Sequence, residues 1–84
     1  MIRATESRMG YFELPVRLLR HDPEKLKPVF SKVIVITAVN VGDREVHRYL
    51  AYSDEFDWIP NGAKIPDYEC GRHKNRMVYF KRKF

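Results

Sequence analysis

The sequence has a single cysteine and no apolar run long enough to cross a membrane. One cysteine, Cys70, excludes an internal disulfide and favours a reducing compartment. The longest apolar run, Val33–Val39, is interrupted by Thr37 and is far shorter than the ~20 residues of a membrane-spanning helix. The first ten residues contain three charged side chains and no apolar secretion signal. We therefore expect a cytoplasmic protein that has no contact with a membrane.

Motifs that carry catalysis or bind metals are also absent from the sequence. Its four glycines are scattered and form no phosphate-binding loop. Cys70 has no glycine-rich elbow or helix start beside it that would activate the thiol. Cys70 and His73 have a zinc-like spacing, but a structural zinc site needs four ligands, and His21 and His47 are far apart. We expect no enzyme, no metal and no other cofactor.

The composition is that of one small folded domain. The chain has 84 residues, of which 44% are hydrophobic and 13% aromatic. This length indicates one domain, and the hydrophobic fraction is ordinary for a globular chain. We assign residues 1–10 to a loose N-terminal arm and residues 11–84 to a single β-rich domain.

Alternating apolar and polar residues predict five strands. In Tyr11–Leu19 the even positions are mostly apolar, and Pro15 favours an edge position because it cannot donate a ladder hydrogen bond. The stretch Lys32–Val41 is apolar on both faces, which is typical of a central strand covered on two sides. The remaining predicted strands are Glu45–Ser53, Asp67–Cys70 and Arg76–Phe84.

Turn signals separate these strands. Gly42 is free to take a positive φ in the turn Val41–Arg44, and Pro60-Asn61-Gly62 predicts a second reversal. Asp22-Pro23 is a helix-start signal, which Pro28 is expected to end after one turn. The expected fold is mostly β, a small five-stranded antiparallel sheet or partly open barrel with one short helical turn. The alternative is an α+β fold in which one helix near residues 23–32 packs on the sheet.

Charge is distributed unevenly along the chain, whose net charge is +5. Residues 43–71 hold three Lys/Arg and seven Asp/Glu, whereas residues 72–84 hold six Lys/Arg and no acid. Dense positive charge with interleaved aromatics is typical of a sequence-tolerant nucleic-acid binder, in which Tyr79 would stack on bases. Arg17 and Arg20 would extend this site if the first strand lies beside the last. The predicted nucleic-acid-binding residues are Arg72, Lys74, Arg76, Tyr79, Lys81, Arg82 and Lys83.

The loop after the third predicted strand supports a different hypothesis, a protein-protein interaction module or inhibitor. Its acids would surround Trp58, the type of residue that commonly anchors a protein interface. The opposing interpretation is that its large apolar side chains cap the core, with at least one of them buried in either case. The residues of this alternative site are Asp54, Glu55, Phe56, Asp57, Trp58 and Ile59.

The partner is therefore expected to be nucleic acid or an acidic protein surface. An unpaired edge strand would also offer a surface for a homodimer. Small cytoplasmic chains of this kind are often viral accessory proteins, of a phage or a mobile element. That expectation rests on size alone.

Overall fold

Five strands form two antiparallel sheets in the computed structural model, which describes residues 8–60, 62–72 and 78–83. In chain order the elements are β1 (Met9–Pro15), α1 (Val16–His21), a 3₁₀ turn (Pro23–Leu26), α2 (Lys27–Phe30), β2 (Ile34–Val41), a 3₁₀ turn (Gly42–Arg44), β3 (Val46–Tyr52), β4 (Tyr68–Arg72) and β5 (Val78–Arg82). The mostly β class and the five strands are confirmed, and the described strands do not close into a barrel.

The two sheets meet along β1. The first sheet has the order β1-β3-β2 and the second pairs β4 with β5. Tyr11 forms a parallel bridge with Asp67, and its N–H donates to the carbonyl of Pro66 at 3.0 Å. The spatial order is therefore β5-β4-β1-β3-β2, in which β1 lies beside β4.

The core combines side chains of β1, β3, β4 and the helical turns with Phe56 of the loop after β3. Phe12 of β1 stacks on Tyr49 of β3, with ring centroids 5.2 Å apart. The ring of Phe80 of β5 is tilted against that of Phe12, also with a centroid separation of 5.2 Å. Phe56 stacks on Tyr68 at 4.3 Å. Each buried aromatic contributes a large apolar area, so these rings supply much of the stability of so small a domain. The other buried apolar residues of the cluster are Leu14, Leu26, Val29 and Ala51.

The first strand is shorter than predicted and is followed by a helix. It begins at Met9 rather than Tyr11 and ends at Pro15, and Val16–His21 is helical. Pro15 lacks the N–H that would continue the ladder, and its φ of -62° suits the residue before a helix. The predicted strand end at Leu19 is therefore wrong. Of the predicted arm, residues 1–7 lie outside the described part of the chain.

The helical segment after Pro23 continues past Pro28. Pro28 lies in the first turn of α2, where a missing N–H breaks no intrahelical bond. The prediction that Pro28 ends the segment is wrong, and the two short turns bury Leu26 and Val29 against the sheet. Within the described residues no helix has the length and apolar character needed to cross a membrane.

Strand β2 occupies an edge, not the centre, of its sheet. Its only described strand neighbour is β3, and Ile34 and Val39 are 66% and 57% exposed. The prediction of a central strand covered on two sides is wrong, because β2 lies at the edge of its sheet and seven of its eight residues are exposed. A bulge between Val35 and Thr37 shifts its register on β3.

In the turn before β3, the residue with a positive φ is not the one predicted. Glu45 has the left-handed conformation, with a φ of 53°, while Gly42 does not. The second predicted reversal is confirmed, since Gly62 has a φ of 83° and the N–H of Ala63 donates to the carbonyl of Pro60 at 3.2 Å.

Candidate functional site: a basic groove at the junction of the sheets

A groove of about 420 Å³ lies where β1, β3 and the ends of β4 and β5 come together. We name it the basic groove, because its charged lining consists of two carboxylates, Glu13 and Asp67, and five cations. These cations are Arg44, Arg48, Lys64, Arg82 and Lys83. The excess of positive charge is concentrated in one concave surface, which suits an anionic ligand.

Arg48 is held on one wall of the groove by both carboxylates. Its guanidinium donates to Asp67 at 2.5 Å and to Glu13 at 3.2 Å, and it lies 4.3 Å from the ring centroid of Tyr11. Burial disfavours the charged form, but hydrogen bonds and charge from Asp67 and Glu13 outweigh it and raise the pKa of Arg48. Arg48 thus joins β1, β3 and the start of β4, and its first role is structural.

Arg44 completes the neutralisation of Glu13. Its two guanidinium nitrogens donate to the two carboxylate oxygens, each at 2.9 Å, in the bidentate geometry that arginine forms best. Both carboxylates of the groove are therefore already bonded to arginine. Their negative charge is neutralised within the protein and offers little to a further cation.

Lys64 and Lys83 line the groove but take no part in the ion pairs of Arg44 and Arg48 with Glu13 and Asp67. Both side chains are exposed, and neither forms an ion pair with any described residue. The N–H of Lys83 donates to the carbonyl of Asp67 at 3.0 Å, which fixes the end of β5 beside the groove. Lys64 enters from the loop before β4. These two ammonium groups face solvent and can bind an anion without breaking a described ion pair.

A second basic recess, of about 380 Å³, adjoins the groove at the β2–β3 turn. We name it the α1 recess, since Arg17, Arg20 and His21 of that helix line it together with Glu45. Arg44 lines the groove and Glu45 the recess, and the carbonyl of Glu45 accepts from the N–H of Val16 at 2.9 Å. The condition stated for Arg17 and Arg20 is not met, because β1 lies beside β4 and not beside β5. They line the α1 recess instead.

The predicted strand-face site is only partly assembled. Tyr79 is half-buried, and its ring lies against the backbone of Gly71 across the β4–β5 pair. Lys81 is exposed and stands opposite Glu69 in register. The structure describes the backbone of Arg72 in β4 but not its side chain.

The rest of that site divides between the groove and the part of the chain outside the described residues. Arg82 and Lys83 line the groove, and Arg82 also forms an ion pair with Asp57 at 2.9 Å. Lys74 and Arg76 lie outside the described residues.

The loop of the alternative site is anchored by two apolar side chains and displays the third. Phe56 is 0% exposed, Ile59 is buried, and Trp58 is 53% exposed. The expectation that at least one of the three is buried is thus confirmed. The N–H of Asp57 donates to the hydroxyl of Tyr68 at 2.6 Å, which holds the loop against β4.

The acids of this loop are largely engaged. Glu55 accepts from the ammonium of Lys32 at 2.6 Å, and its N–H donates to the hydroxyl of Ser53 at 3.1 Å. Asp57 pairs with Arg82, and Asp54 is exposed. The rim around Trp58 is therefore less negative than the sequence alone indicates.

Three of the five groove cations were missed by sequence reasoning. Arg44, Arg48 and Lys64 are the three cations of the acidic middle segment, residues 43–71, and all three line the groove. The available signal was Arg48, the single Lys or Arg of β3, which lies on the face of that strand opposite the buried Tyr49 and Ala51. Among residues 8–60, 62–72 and 78–83, no group of three His, Cys, Asp or Glu side chains is placed to hold a metal ion.

Comparison with known proteins provides no further guide: no family model, no curated protein and no solved structure matches the chain. The function must be argued from the groove and its surroundings.

Proposed function

We propose that this protein is a sequence-tolerant nucleic-acid binder that holds the phosphate backbone in the basic groove. The observation that carries the proposal is the positive charge left over in the groove after Glu13 and Asp67 have been paired with arginines. Lys64 and Lys83 are the side chains best placed to contact phosphate oxygens. Arg17 and Arg20 in the α1 recess would extend the track along the strand.

Binding would consist of charge neutralisation without chemistry. Each ammonium group that contacts a phosphate releases condensed counterions, so the logarithm of the affinity falls by about 0.7 per contact for each tenfold rise in salt on a single strand. A rigid groove favours this binding, because Arg44 and Arg48 are already fixed by their carboxylates and lose little freedom when a ligand arrives.

Base recognition has less support than backbone recognition. The Tyr11 ring has the Arg48 guanidinium over it, and the Tyr79 ring lies on Gly71, so neither presents two free faces to a base. Stacking on both faces of an aromatic is thus restricted at these positions. This restriction is the reason that we propose tolerance of sequence. The single half-buried Cys70 suits a cytoplasmic setting, where thiols stay reduced.

The test is fluorescence anisotropy with labelled single-stranded RNA, single-stranded DNA and duplex DNA, each at low and near-physiological salt. The variant is Lys64→Gln/Lys83→Gln. Its matched control is Lys25→Gln/Lys27→Gln, which removes the same charge from the helical segment outside the groove. Removal of two groove contacts should weaken binding and reduce the salt slope on a single strand by about 1.4.

The control separates the groove from net charge. If both double variants lose affinity equally, the attraction comes from overall charge and the groove is not the site. If the unmodified protein binds none of the three nucleic acids at near-physiological salt, the proposal is wrong. The strand preferred by the unmodified protein would identify its ligand class.

Trp58 favours a second candidate function, a protein-binding module or inhibitor of the accessory type. An indole that is 53% exposed, on a loop fixed by buried Phe56 and Ile59, is an unusual use of the largest apolar side chain. Tryptophan is enriched among residues that dominate protein interfaces. On this hypothesis Trp58→Ala would abolish capture of a protein partner and leave nucleic-acid binding unchanged.

A further inference from the structure

Strand β2 has little of the usual protection of an exposed sheet edge. Natural edge strands avoid adding a foreign strand by carrying charged residues or proline, or by being covered. No residue of Ile34–Val41 is charged or proline, and all are exposed except Val41, which is half-buried. The edge away from β3 has no strand neighbour among the described residues. The bulge at Ile36 is the one protective feature present in this described strand.

The other exposed edge is built differently. Strand β5 has β4 as its described neighbour on one side, and it carries Lys81 and Arg82 within five residues. These long cations are the kind of residue that prevents edge-to-edge association. Among the described strands, the β5 edge is therefore protected by charge, whereas the more apolar β2 edge is left without a neighbour. This contrast indicates that β2 is an interaction surface.

We propose that β2 pairs antiparallel with β2 of a second copy of this chain, about a two-fold axis at Thr37. The uncharged stretch Val33–Val41 has Thr37 at its centre, so pairing with itself places no like charges opposite each other. Val35 then faces the partner's Val39, and Ile36 faces the partner's Ala38. The two sheets would join into one.

The opposite charges at the two ends of β2 would also be complementary to those of a second copy. Lys32 precedes β2 and Asp43 follows it, and Asp43 forms no ion pair with a described residue. Antiparallel pairing about Thr37 joins Ile34 to the partner's Asn40, so Lys32, two residues before β2, and the partner's Asp43, two residues after its β2, lie beyond the same end of the paired strands. Lys32 already bonds Glu55, so the second carboxylate would extend an existing pair.

The size of the surface indicates a weak dimer. Eight strand residues span about 27 Å. A strip of that length and about 10 Å wide covers roughly 270 Å² per copy, well below the ~800 Å² per partner of a standard stable interface. Exposed side chains such as Ile34 and Val39 add area on the flanks. We therefore expect association in the micromolar range rather than the nanomolar range.

The first test is sedimentation velocity from low micromolar to several hundred micromolar protein. Unmodified protein should shift from monomer to dimer across that range. Thr37→Lys places like charges opposite each other at the axis and should remain monomeric throughout. Ala63→Lys adds the same charge to an exposed loop residue and should dimerise as the unmodified protein does. A monomer at every concentration, or a Thr37→Lys dimer, would overturn the proposal.

A cross-linking test remains informative even if Thr37→Lys fails to fold. Two copies of Thr37→Cys would place their new thiols across the antiparallel pair, within the Cα separation that a disulfide allows. Thr37→Cys should therefore form a covalent dimer under mild oxidation, whereas Val39→Cys, which would face the partner's Val35, should not. The native Cys70 is common to both. Equal cross-linking of the two variants would refute the Thr37-centred register. Neither result depends on the nucleic-acid proposal.

Discussion

Arg82 of β5 and Asp57 of the loop after β3 form an ion pair of 2.9 Å. These residues belong to two sites that the sequence presents as rivals, the basic strand and the acidic tryptophan loop. Their pairing joins the two into one continuous surface, with the basic groove on one side of Arg82 and Trp58 close to Asp57 along the chain. A ligand in the groove that bonds Arg82 must compete with Asp57.

Removing this carboxylate should increase affinity for nucleic acid. Asp57→Asn removes the ion pair between Asp57 and Arg82 and leaves a neutral side chain of the same shape. The pair is exposed, so its loss should change the free energy of unfolding by less than about 1 kcal/mol. Asp54→Asn makes the same change of charge at an exposed aspartate of the same loop. Anisotropy at two salt concentrations should show tighter binding for Asp57→Asn than for this control. Equal gains would mean that net charge alone is responsible.

Trp58 and Phe56 should differ sharply in their effect on stability. Phe56 is fully buried and contacts three other rings, so Phe56→Ala should cost about 3–5 kcal/mol in the free energy of unfolding. Trp58→Ala, at a side chain that is half in water, should cost about 1 kcal/mol or less. Denaturant titration measures both. Emission from Trp58, the only tryptophan, should be that of a solvated indole, and a blue-shifted spectrum would contradict the exposed position.

Gly10 and Gly42 provide a matched pair of glycine-to-alanine changes. A Cβ on Gly10 would lie 2.6 Å from ring atoms of Tyr68, and that ring cannot move aside because it stacks on Phe56. Gly10→Ala should therefore destabilise the protein by about 1–3 kcal/mol, as overpacking does. Gly42 has open space around its Cβ position and no positive φ, so Gly42→Ala should be close to neutral. Thermal or denaturant unfolding of both variants measures the difference, and equal destabilisation would contradict the packing around Gly10.

Tyr49 should make the protein sensitive to alkali. Burial raises the pKa of Tyr49 in the folded state, so the unfolded chain releases this proton first as the pH rises above about 10. Below that pH the contribution of neutral Tyr49 to stability is fully present. Above it the free energy of unfolding falls by up to about 1.4 kcal/mol per pH unit, until Tyr49 of the folded protein also ionises. Tyr49→Phe removes this contribution. Urea titrations between pH 8 and pH 11 (about the window of this ionisation) should show a steeper loss for the unmodified protein, and parallel curves would refute the assignment.

The strands were predictable because apolar and polar residues alternate along them, and this alternation indicates which face is buried. The position of β2 in the sheet was not predictable. Apolar residues such as Ile34 and Val39 indicate an apolar strand, but they do not indicate which elements cover it. Helix α1 was missed because a six-residue helix shows too little periodicity to compete with the preceding strand pattern.

The candidate site was predictable only in part, for a topological reason. Lys83 was recognised from local charge density, whereas Lys64 and Arg48 lie in a segment that is acidic overall. They meet Lys83 only because β4 pairs with β5 and runs beside β1. For the tryptophan loop, the sequence indicated that some apolar side chains were buried, but three-dimensional packing decides that Phe56 is inside and Trp58 outside.

The narrow junction between the two sheets has a consequence for local unfolding. Backbone pairing between β1 and the start of β4 rests on the Tyr11–Pro66 hydrogen bond and the adjacent bridge to Asp67. In native-state hydrogen exchange we therefore expect two cooperative units, with the amides of β4 and β5 exchanging at a lower opening free energy than those of β1 and β3. Each such local opening moves Lys83 away from Arg48. The groove is therefore lost while β4 and β5 are open, although the first sheet stays folded. Occupation of the groove would slow exchange in β4 and β5 selectively, since the ligand binds only the closed form.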